Sequence, residues 1–254
     1  MDRLSFNAMA AINEDRLIRQ QLANDIANVN TTGFKRAFEA TMQPHKAVGE
    51  GFDSRLQPRL YTSDKVDLSA GPRIVTGREL DIALNHQTVL GVMGSNNELA
   101  FTRRGDLRVN AQGTLETGSG HVVMSEDGGP ITVPPGFRIN FGADGTLYAT
   151  DPNQPAPAAE QPIGRLLLRD ASQVALFKRN DGLFRVEGQA PGTDFATGPE
   201  PVSLTPGALE GSSVNPMATM VKLIEQSRAF EHQVRLIKEA KSNDESGASM
   251  MRVT

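Results

Sequence analysis

The residues that could carry out chemistry are few and widely separated in this sequence of 254 residues. No cysteine is present, so thiol nucleophiles, disulfides and cysteine-ligated zinc are excluded. No two of the histidines stand at the spacing of metal ligands: His45, His86, His121 and His232. A Gly-x-Ser-x-Gly elbow, a His-Glu-x-x-His motif and a P-loop are also missing. The sequence therefore predicts no catalytic, cofactor-binding or metal-binding residue, and no cofactor.

Two short stretches resemble ligand-binding loops but are better explained as turns. TGSGH, Thr117 to His121, lacks the third glycine of a dinucleotide fingerprint and follows a hairpin instead of opening a helix. Asp144, in GADGT, lacks the alternating oxygen ligands of a calcium loop, and Asp-Gly is a common hairpin pair. Neither stretch supports an enzymatic function.

Charge and hydropathy exclude two further classes of function. The net charge is -4, and no basic stripe exists that would attract nucleic acid. No segment approaches the roughly 20 apolar residues of a membrane span. The N-terminal segment, MDRLSFNAMAAINEDRLIRQ, lacks the apolar run of a signal peptide. We expect a soluble protein that does not leave the cell by the general secretory route.

The first element that could position functional residues is an N-terminal helix. Six apolar residues fall at heptad spacing: Leu4, Ala8, Ala11, Ile18, Leu22 and Val29. Asp15 and Asp25 occupy the two heptad positions at which an apolar residue is missing. Gly33 as the left-handed residue and Phe34 after it predict a Schellman motif at the helix end. Asparagines are unfavourable inside helices, so Asn24, Asn28 and Asn30 indicate amides that bond to neighbouring helices, or a frayed last turn.

A second helix is predicted near the C-terminus. Asn215 is the expected N-cap and Pro216 the first helical residue. An apolar stripe follows at 3-4-3-4-3 spacing: Met220, Leu223, Ser227, Phe230, Val234 and Ile237. Val221, Ile224 and Leu236 form a second apolar row beside it. We expect this helix to fade after Ala240 into a polar tail.

Between the helices, period-two runs and three Asp-Gly pairs predict an all-β domain. The predicted fold is mainly β with terminal α-helices. The predicted segments are an N-terminal assembly helix (1–36), an extended connector (37–75), a central β domain (76–205) and a C-terminal assembly helix with its tail (206–254). An antiparallel pair of the helices would leave the second apolar rows in water, which favours packing against other subunits.

Four blocks of the sequence resemble signatures of the bacterial flagellar rod and hook proteins. LANDIANVNTTGFKR resembles the family's motif at the end of the first helix, although Asp25 replaces an asparagine and Ile26 a leucine. The other three blocks follow in the family's order: TGRELDIAL (76–84), FTRRGDLRVNAQGTLETGSGHVV (101–123) and GALEGSSVNPMATMVKLIEQSRAFE (207–231). HQTVLGV, after Asn85, departs from the usual pattern. Within the family, the length and the opening residues resemble proximal-rod members most, with distal-rod members as near neighbours.

The resemblance implies a structural subunit of the flagellar basal-body rod, the hollow axial shaft that transmits motor torque, and no enzymatic activity. Its partners would be copies of itself, other rod proteins and the flagellar type III export apparatus, and it would reside in the rod that crosses the periplasm. The terminal helices would form an inner, coiled-coil tube, with the β domain outside. The assembly interface would then comprise Leu4, Ala11, Ile18, Leu22, Asn24, Asn28, Asn30, Gly33, Phe34, Met220, Leu223, Ser227, Phe230, Val234 and Ile237. A distal-rod subunit, or a soluble binding module with a closed helix pair, is the alternative.

Overall fold

The computed structural model describes residues 2–37, 39–46, 56–154 and 159–251. It divides into two compact units that are each built from separate stretches of chain. The helical unit contains Met1–Ala27, Phe38–Ser63 and Asn215–Thr254, and the β unit contains Asn28–Ala37 and Asp64–Val214. The prediction of a mainly β protein with one helix at each end is confirmed at this level.

Two long helices and one hairpin form the helical unit. Helix α1 spans Asp2–Ala27 and helix α2 spans Pro216–Met251. The hairpin pairs strand β1, Glu39–Lys46, with strand β2, Leu56–Ser63. Helix α2 begins as predicted, because the Asn215 side-chain Oδ1 accepts a hydrogen bond of 3.1 Å from the Ala218 N–H.

The ends of both helices differ from the predictions. Helix α1 ends at Ala27, and the Schellman motif is wrong, because the Gly33 N–H donates to Glu210 O at 2.8 Å and not back to the helix. A backbone hydrogen bond to a residue that is distant in the sequence thus replaces the predicted helix cap. Helix α2 continues past Ala240, since extending an existing helix requires no new nucleus and no glycine occurs before Gly247.

The β unit contains fifteen strands in the described residues. They are β3 Arg73–Val75, β4 Ile82–Leu84, β5 Thr88–Met93, β6 Leu99–Thr102, β7 Leu107–Val109, β8 Leu115–Thr117, β9 Val122–Val123, β10 Arg138–Phe141, β11 Thr146–Thr150, β12 Gln161–Arg165, β13 Leu168–Asp170, β14 Leu176–Lys178, β15 Phe184–Val186, β16 Leu204–Pro206 and β17 Ala208–Glu210. The largest sheet has eight strands in the order β14-β15-β6-β5-β9-β8-β7, with β13 paired to β5. The smaller sheets are β10-β11-β12, β16-β4 and β17-β3.

The predicted turns and strands of the β unit agree with the structure. Gly128, Gly145 and Gly182, the glycines of the three Asp-Gly pairs, all have φ values above +80°. The stretch 164–170 is divided between β12 and β13. One buried cluster is almost wholly aliphatic, and a second contains Phe101 and Phe195 in edge-to-face contact at 4.8 Å.

The segment predicted as an extended connector contains ordered strands. Strands β1, β2 and β3 all fall within residues 37–75. Pro44 lies opposite Pro58 in the hairpin, and the segment shows no apolar alternation. Pairing of this kind rests on backbone hydrogen bonds, which leave no periodic pattern in the sequence.

Candidate assembly interface

The two terminal helices pack against each other antiparallel within one chain. Two contacts define this arrangement. Gln233 Nε2 donates to Asp15 Oδ2 at 2.8 Å, and the Arg19 guanidinium carbon lies 4.5 Å from the centre of the Phe230 ring. One residue number rises from the first contact to the second while the other falls, which is the signature of antiparallel helices.

The inward face of α1 coincides with its predicted heptad stripe. Asp15, Leu22 and Asp25 are buried, and Ala11 and Ile18 are half-buried. The side chain of Leu4 lies outside the described residues. The two aspartates thus occupy interior heptad positions that apolar residues usually fill.

The inward face of α2 is shifted from the predicted stripe at two positions. Leu223, Phe230, Val234 and Ile237 are half-buried, whereas Met220 and Ser227 are exposed. Thr219 is buried and Gln226 half-buried beside those two positions. The apolar pattern alone could not show this, because a threonine and a glutamine occupy the inward positions.

Apolar side chains remain on the outside of the helix pair. The N-terminal half of α2 carries four at spacings of three, four and seven residues, with exposed fractions of 73%, 49%, 54% and 54%: Met217, Met220, Val221 and Ile224. Leu236 on α2, and Met9 and Leu17 on α1, are also exposed. The prediction that antiparallel pairing leaves apolar rows in water is therefore confirmed for the described side chains. We call the four residues of α2 the outer row.

The asparagine cluster lies at the end of α1 and in the turn that follows. Asn24 and Asn30 are exposed. Asn28 closes the turn with two bonds to Thr31: its side-chain Oδ1 accepts from the Thr31 hydroxyl at 3.2 Å, and its carbonyl accepts from the Thr31 N–H at 3.1 Å. Contacts of these amides with other subunits stay a prediction.

Gly33 and Phe34 contact the β unit of their own chain. Gly33 has φ +66°, and a Cβ added there would lie 2.5 Å from Arg103 O, so only glycine fits. The Phe34 carbonyl accepts a hydrogen bond of 3.0 Å from the Ser213 N–H, and the Lys178 ammonium lies 3.8 Å from the centre of the Phe34 ring. These contacts fix the segment after α1 on the β unit.

Next to this segment lies a buried charge network that the sequence did not predict. Glu210 accepts from Lys35 Nζ at 2.8 Å through Oε1, while its Oε2 is 2.7 Å from Arg103 Nε and 2.6 Å from Arg103 Nη2. Lys35 and Arg103 are each 1% exposed and Glu210 is 4% exposed. The network thus buries two cations around one carboxylate.

Backbone groups complete the hydrogen bonds of this network. Arg103 also donates to the carbonyls of Leu84, His86 and Thr88 at 2.7–2.9 Å. Lys35 Nζ donates to the Ser69 carbonyl, and the Gly71 N–H donates to Glu210 Oε1 at 2.9 Å. Burial lowers the pKa of the Lys35 ammonium and the pKa of the Arg103 guanidinium below their ordinary values, although Glu210 opposes both shifts.

Each member of the network belongs to a different signature block of the sequence. Lys35 ends TTGFK, Arg103 follows FT in FTRRGD, and Glu210 stands in GALEG. Charged residues beside turns are usually at the surface, so composition gave no sign of burial. The available signal was that all three blocks carry a charged residue among apolar and small ones.

Potential metal ligands do not cluster in the described residues. None of their histidine and acidic side chains forms a group of three that could hold a metal ion. Among these residues, too, neither helix is long and apolar enough to cross a membrane. The helix pair with its outer row is the candidate assembly site of the helical unit, and the segment of Gly33 and Phe34 is a separate candidate in the β unit.

Comparison with known proteins gives two family matches that agree with the signature blocks. A family described as flagellar basal body rod FlgEFG protein C-terminal matches residues 205–250. A family described as flagellar hook protein FlgE/F/G D1 domain matches residues 85–149. The first match covers strand β17 and nearly all of α2, and the second covers a large part of the β unit.

Individual relatives carry the names of rod proteins. The chain is 33% identical to the flagellar basal-body rod protein FlgF of Escherichia coli over 96% of each chain. It is 38% identical to FlgF of Salmonella typhimurium over 64% of each chain. It is also 30% identical to the rod protein FlgG of Buchnera aphidicola, over 59% of this chain and 56% of that protein. These two FlgF matches exceed this FlgG match in both identity and coverage.

Proposed function

This chain belongs to the family of flagellar basal-body rod proteins and is FlgF-like rather than FlgG-like, and on that premise we propose that it assembles into the rod through the outward faces of its paired terminal helices. It is a structural subunit and not an enzyme. The neighbours in this proposal are copies of the same chain and other rod proteins, with the chain in the proximal rod.

The observation that carries the proposal is the outer row of α2. Met217, Met220, Val221 and Ile224 lie along one side of the helix and are all about half exposed or more, although α2 is already paired with α1. Each Å² of apolar surface left in water costs about 25 cal/mol. A contiguous apolar row of this kind is typical of a surface that a partner covers.

We propose that different segments of the chain have different roles in the rod. Residues 1–36 and 206–254 supply the assembly segments, the β domain of residues 76–205 forms the outer layer, and residues 37–75 link them. Export through the flagellar type III apparatus, and residence in the part of the rod that crosses the periplasm, belong to the same proposal.

Fixed anchor segments support this arrangement. The Gly33 N–H donates to the Glu210 carbonyl, and the Ser213 N–H donates to the Phe34 carbonyl. The stretch that follows α1 and the stretch that precedes α2 are thereby held side by side within the β unit. The two chain segments that lead into the helices are therefore fixed relative to each other within the β unit of every subunit, and a regular assembly needs such identical subunits.

The test replaces Val221 and Ile224 with aspartate in a strain that lacks its own copy of the gene. Two charges in the outer row should prevent incorporation into isolated basal bodies and abolish swimming. Circular dichroism of the purified variant should remain that of the wild type, because both side chains already face water. Aspartates at Val234 and Ile237 are a less specific test, since those half-buried side chains also contribute to the helix pair.

The matched control places aspartates at Ser242 and Asn243, two exposed polar positions of α2. It adds the same charge to the same helix without touching the outer row. The control strain should swim. Normal incorporation of the Val221 and Ile224 variant would show that the outer row is not an assembly surface.

A further inference from the structure

The helix pair contains buried polar groups that a self-contained hydrophobic interface would not need. Asp15 is 3% exposed, and its hydrogen bond from Gln233 crosses from one helix to the other. The Oε1 atoms of Gln226 and Gln233 and the Nε of Arg19 are buried, without a hydrogen-bond partner among the described residues. Unsatisfied buried polar atoms destabilise a fold, so their presence calls for another role.

We propose that Asp15 and Gln233 determine the register and orientation of the terminal helix pair, with Arg19 and Phe230 as a second, adjacent determinant. This inference rests on the proposed function, because register matters when helices from many subunits must form one regular tube. A single polar residue at an interior heptad position is a well-attested means of fixing register.

The geometry distinguishes the observed register from its nearest alternatives. A slip of one heptad moves the helices by about 10 Å along their axis. Asp15 would then lie opposite Gln226 or Ala240. The Arg19 guanidinium would then lie opposite an aliphatic side chain instead of the Phe230 ring.

Neither slipped register keeps both contacts. A slip in one direction preserves an amide opposite Asp15 but places Arg19 opposite Leu223. A slip in the other direction places Asp15 opposite Ala240 and Arg19 opposite Ile237, which leaves the buried Asp15 without the amide of Gln233 and Arg19 without the ring of Phe230. Only the observed register provides the hydrogen bond and the cation–π contact together.

Apolar residues at these positions would remove that discrimination. Most of the other inward positions, such as Leu22, Leu223 and Val234, carry aliphatic side chains that tolerate several registers, since aliphatic contacts are not directional. Replacement of Asp15 and Gln233 by leucine should therefore give a helix pair that is at least as resistant to heat but no longer has one register.

The absence of cysteine makes the register measurable in the full chain. Cysteines introduced at the exposed positions Arg16 and Lys222 carry spin labels on α1 and α2, and pulsed dipolar spectroscopy measures the distance between them. The parent chain should give one narrow distance. Asp15→Leu with Gln233→Leu should add a second distance, because a one-heptad slip displaces one label by about 10 Å along the axis.

An exchange variant separates register control from simple loss of stability. Asp15→Gln with Gln233→Asp reverses the direction of the same hydrogen bond and should restore the single distance and swimming. As a control, leucines at Lys241 and Glu245 remove an exposed pair within α2 and should leave the single distance unchanged. The Asp15→Leu, Gln233→Leu strain should swim poorly although the variant is folded.

The outcomes separate this inference from the assembly proposal. A single narrow distance in the leucine variant, or a broad distribution in the parent chain, would overturn register control by this pair. Neither result bears on the outer row, which the Val221 and Ile224 variant tests. If that variant swims normally, the assembly surface is wrong whatever the spin labels report.

Discussion

Removal of the Glu210 charge should be among the most destabilising single changes in the β unit. Glu210→Gln retains the size of the side chain but leaves Lys35 and Arg103 buried together without a counter-charge. Breaking one partner out of a buried ion pair costs about 3–5 kcal/mol. The whole free energy of unfolding of a typical domain is about 5–15 kcal/mol, so this loss is a large fraction of it.

Lys35→Met provides the informative comparison. It removes one cation but leaves Arg103 bound to Glu210 Oε2 through two nitrogens, and Glu210 Oε1 keeps its bond from the Gly71 N–H. The Ser69 carbonyl loses its donor. The cost should be about 1–3 kcal/mol, the range for a buried group left unpaired. Glu210→Gln is therefore expected to be more destabilising than Lys35→Met.

Hydrogen exchange measured by mass spectrometry suits this comparison, because it reports the opening free energy of peptides from strands β5 and β6 separately from the helices. Glu126→Gln is the matched control, since Glu126 forms an exposed pair with Arg165 at 3.3 Å. Exposed pairs contribute at most about 1 kcal/mol. If Glu210→Gln changes the opening free energy no more than this control, or less than Lys35→Met, the charge-balance reasoning is refuted.

Three further predictions concern single positions. Gly33→Ala should lower the free energy of unfolding by more than about 1 kcal/mol in urea titrations, because the new Cβ would meet Arg103 O at 2.5 Å; an unchanged midpoint would contradict this. Asn215→Ala should cost about 1 kcal/mol of helix stability, since the Ala218 N–H loses its acceptor, and Asn215→Asp should restore it in thermal circular dichroism. The pKa of Lys35 is lowered in the folded chain, so the unfolded chain binds more protons at pH values between that lowered pKa and the ordinary value of 10.5. The stability of the parent chain relative to Lys35→Met should therefore rise as pH increases toward 10.5. A difference in stability that falls over this pH range would contradict the prediction.

The predictable parts of the fold are those with a local signal. The N-cap at Asn215, the Asp-Gly turns and the interior stripe of α1 follow from residue types at fixed spacing. The β1–β2 hairpin has no such signal, because backbone pairing places Pro44 opposite Pro58 without any apolar alternation. The end of α1 was misplaced for a related reason: Gly33 is required by a close approach to Arg103, and not by a helix cap.

The assembly interface was predicted less completely than the helices that carry it. Spacing identified the stripe of α2, but the inward positions of Thr219 and Gln226 displaced Met220 and Ser227 to the outside. Polar residues at interior positions are invisible to an apolar pattern. The apolar pattern also gave no sign that Gln233 is the hydrogen-bond partner of Asp15. It marked Asp15 only as an interruption of the apolar stripe of α1.

The Glu210 network and the Asp15–Gln233 contact both connect segments that are distant in the sequence. Glu210 joins residues that are 175 and 107 positions away in the sequence, and Gln233 meets Asp15 across 218 positions. Apolar contacts between such distant segments would hold them together with little directional preference, whereas a hydrogen-bonded charge tolerates one geometry and is costly in every other. A subunit that must repeat the same geometry along a rod gains from that intolerance. The Asp15–Gln233 contact should therefore matter more for uniformity of assembly than for the stability of the isolated chain, whereas Glu210 should matter for both.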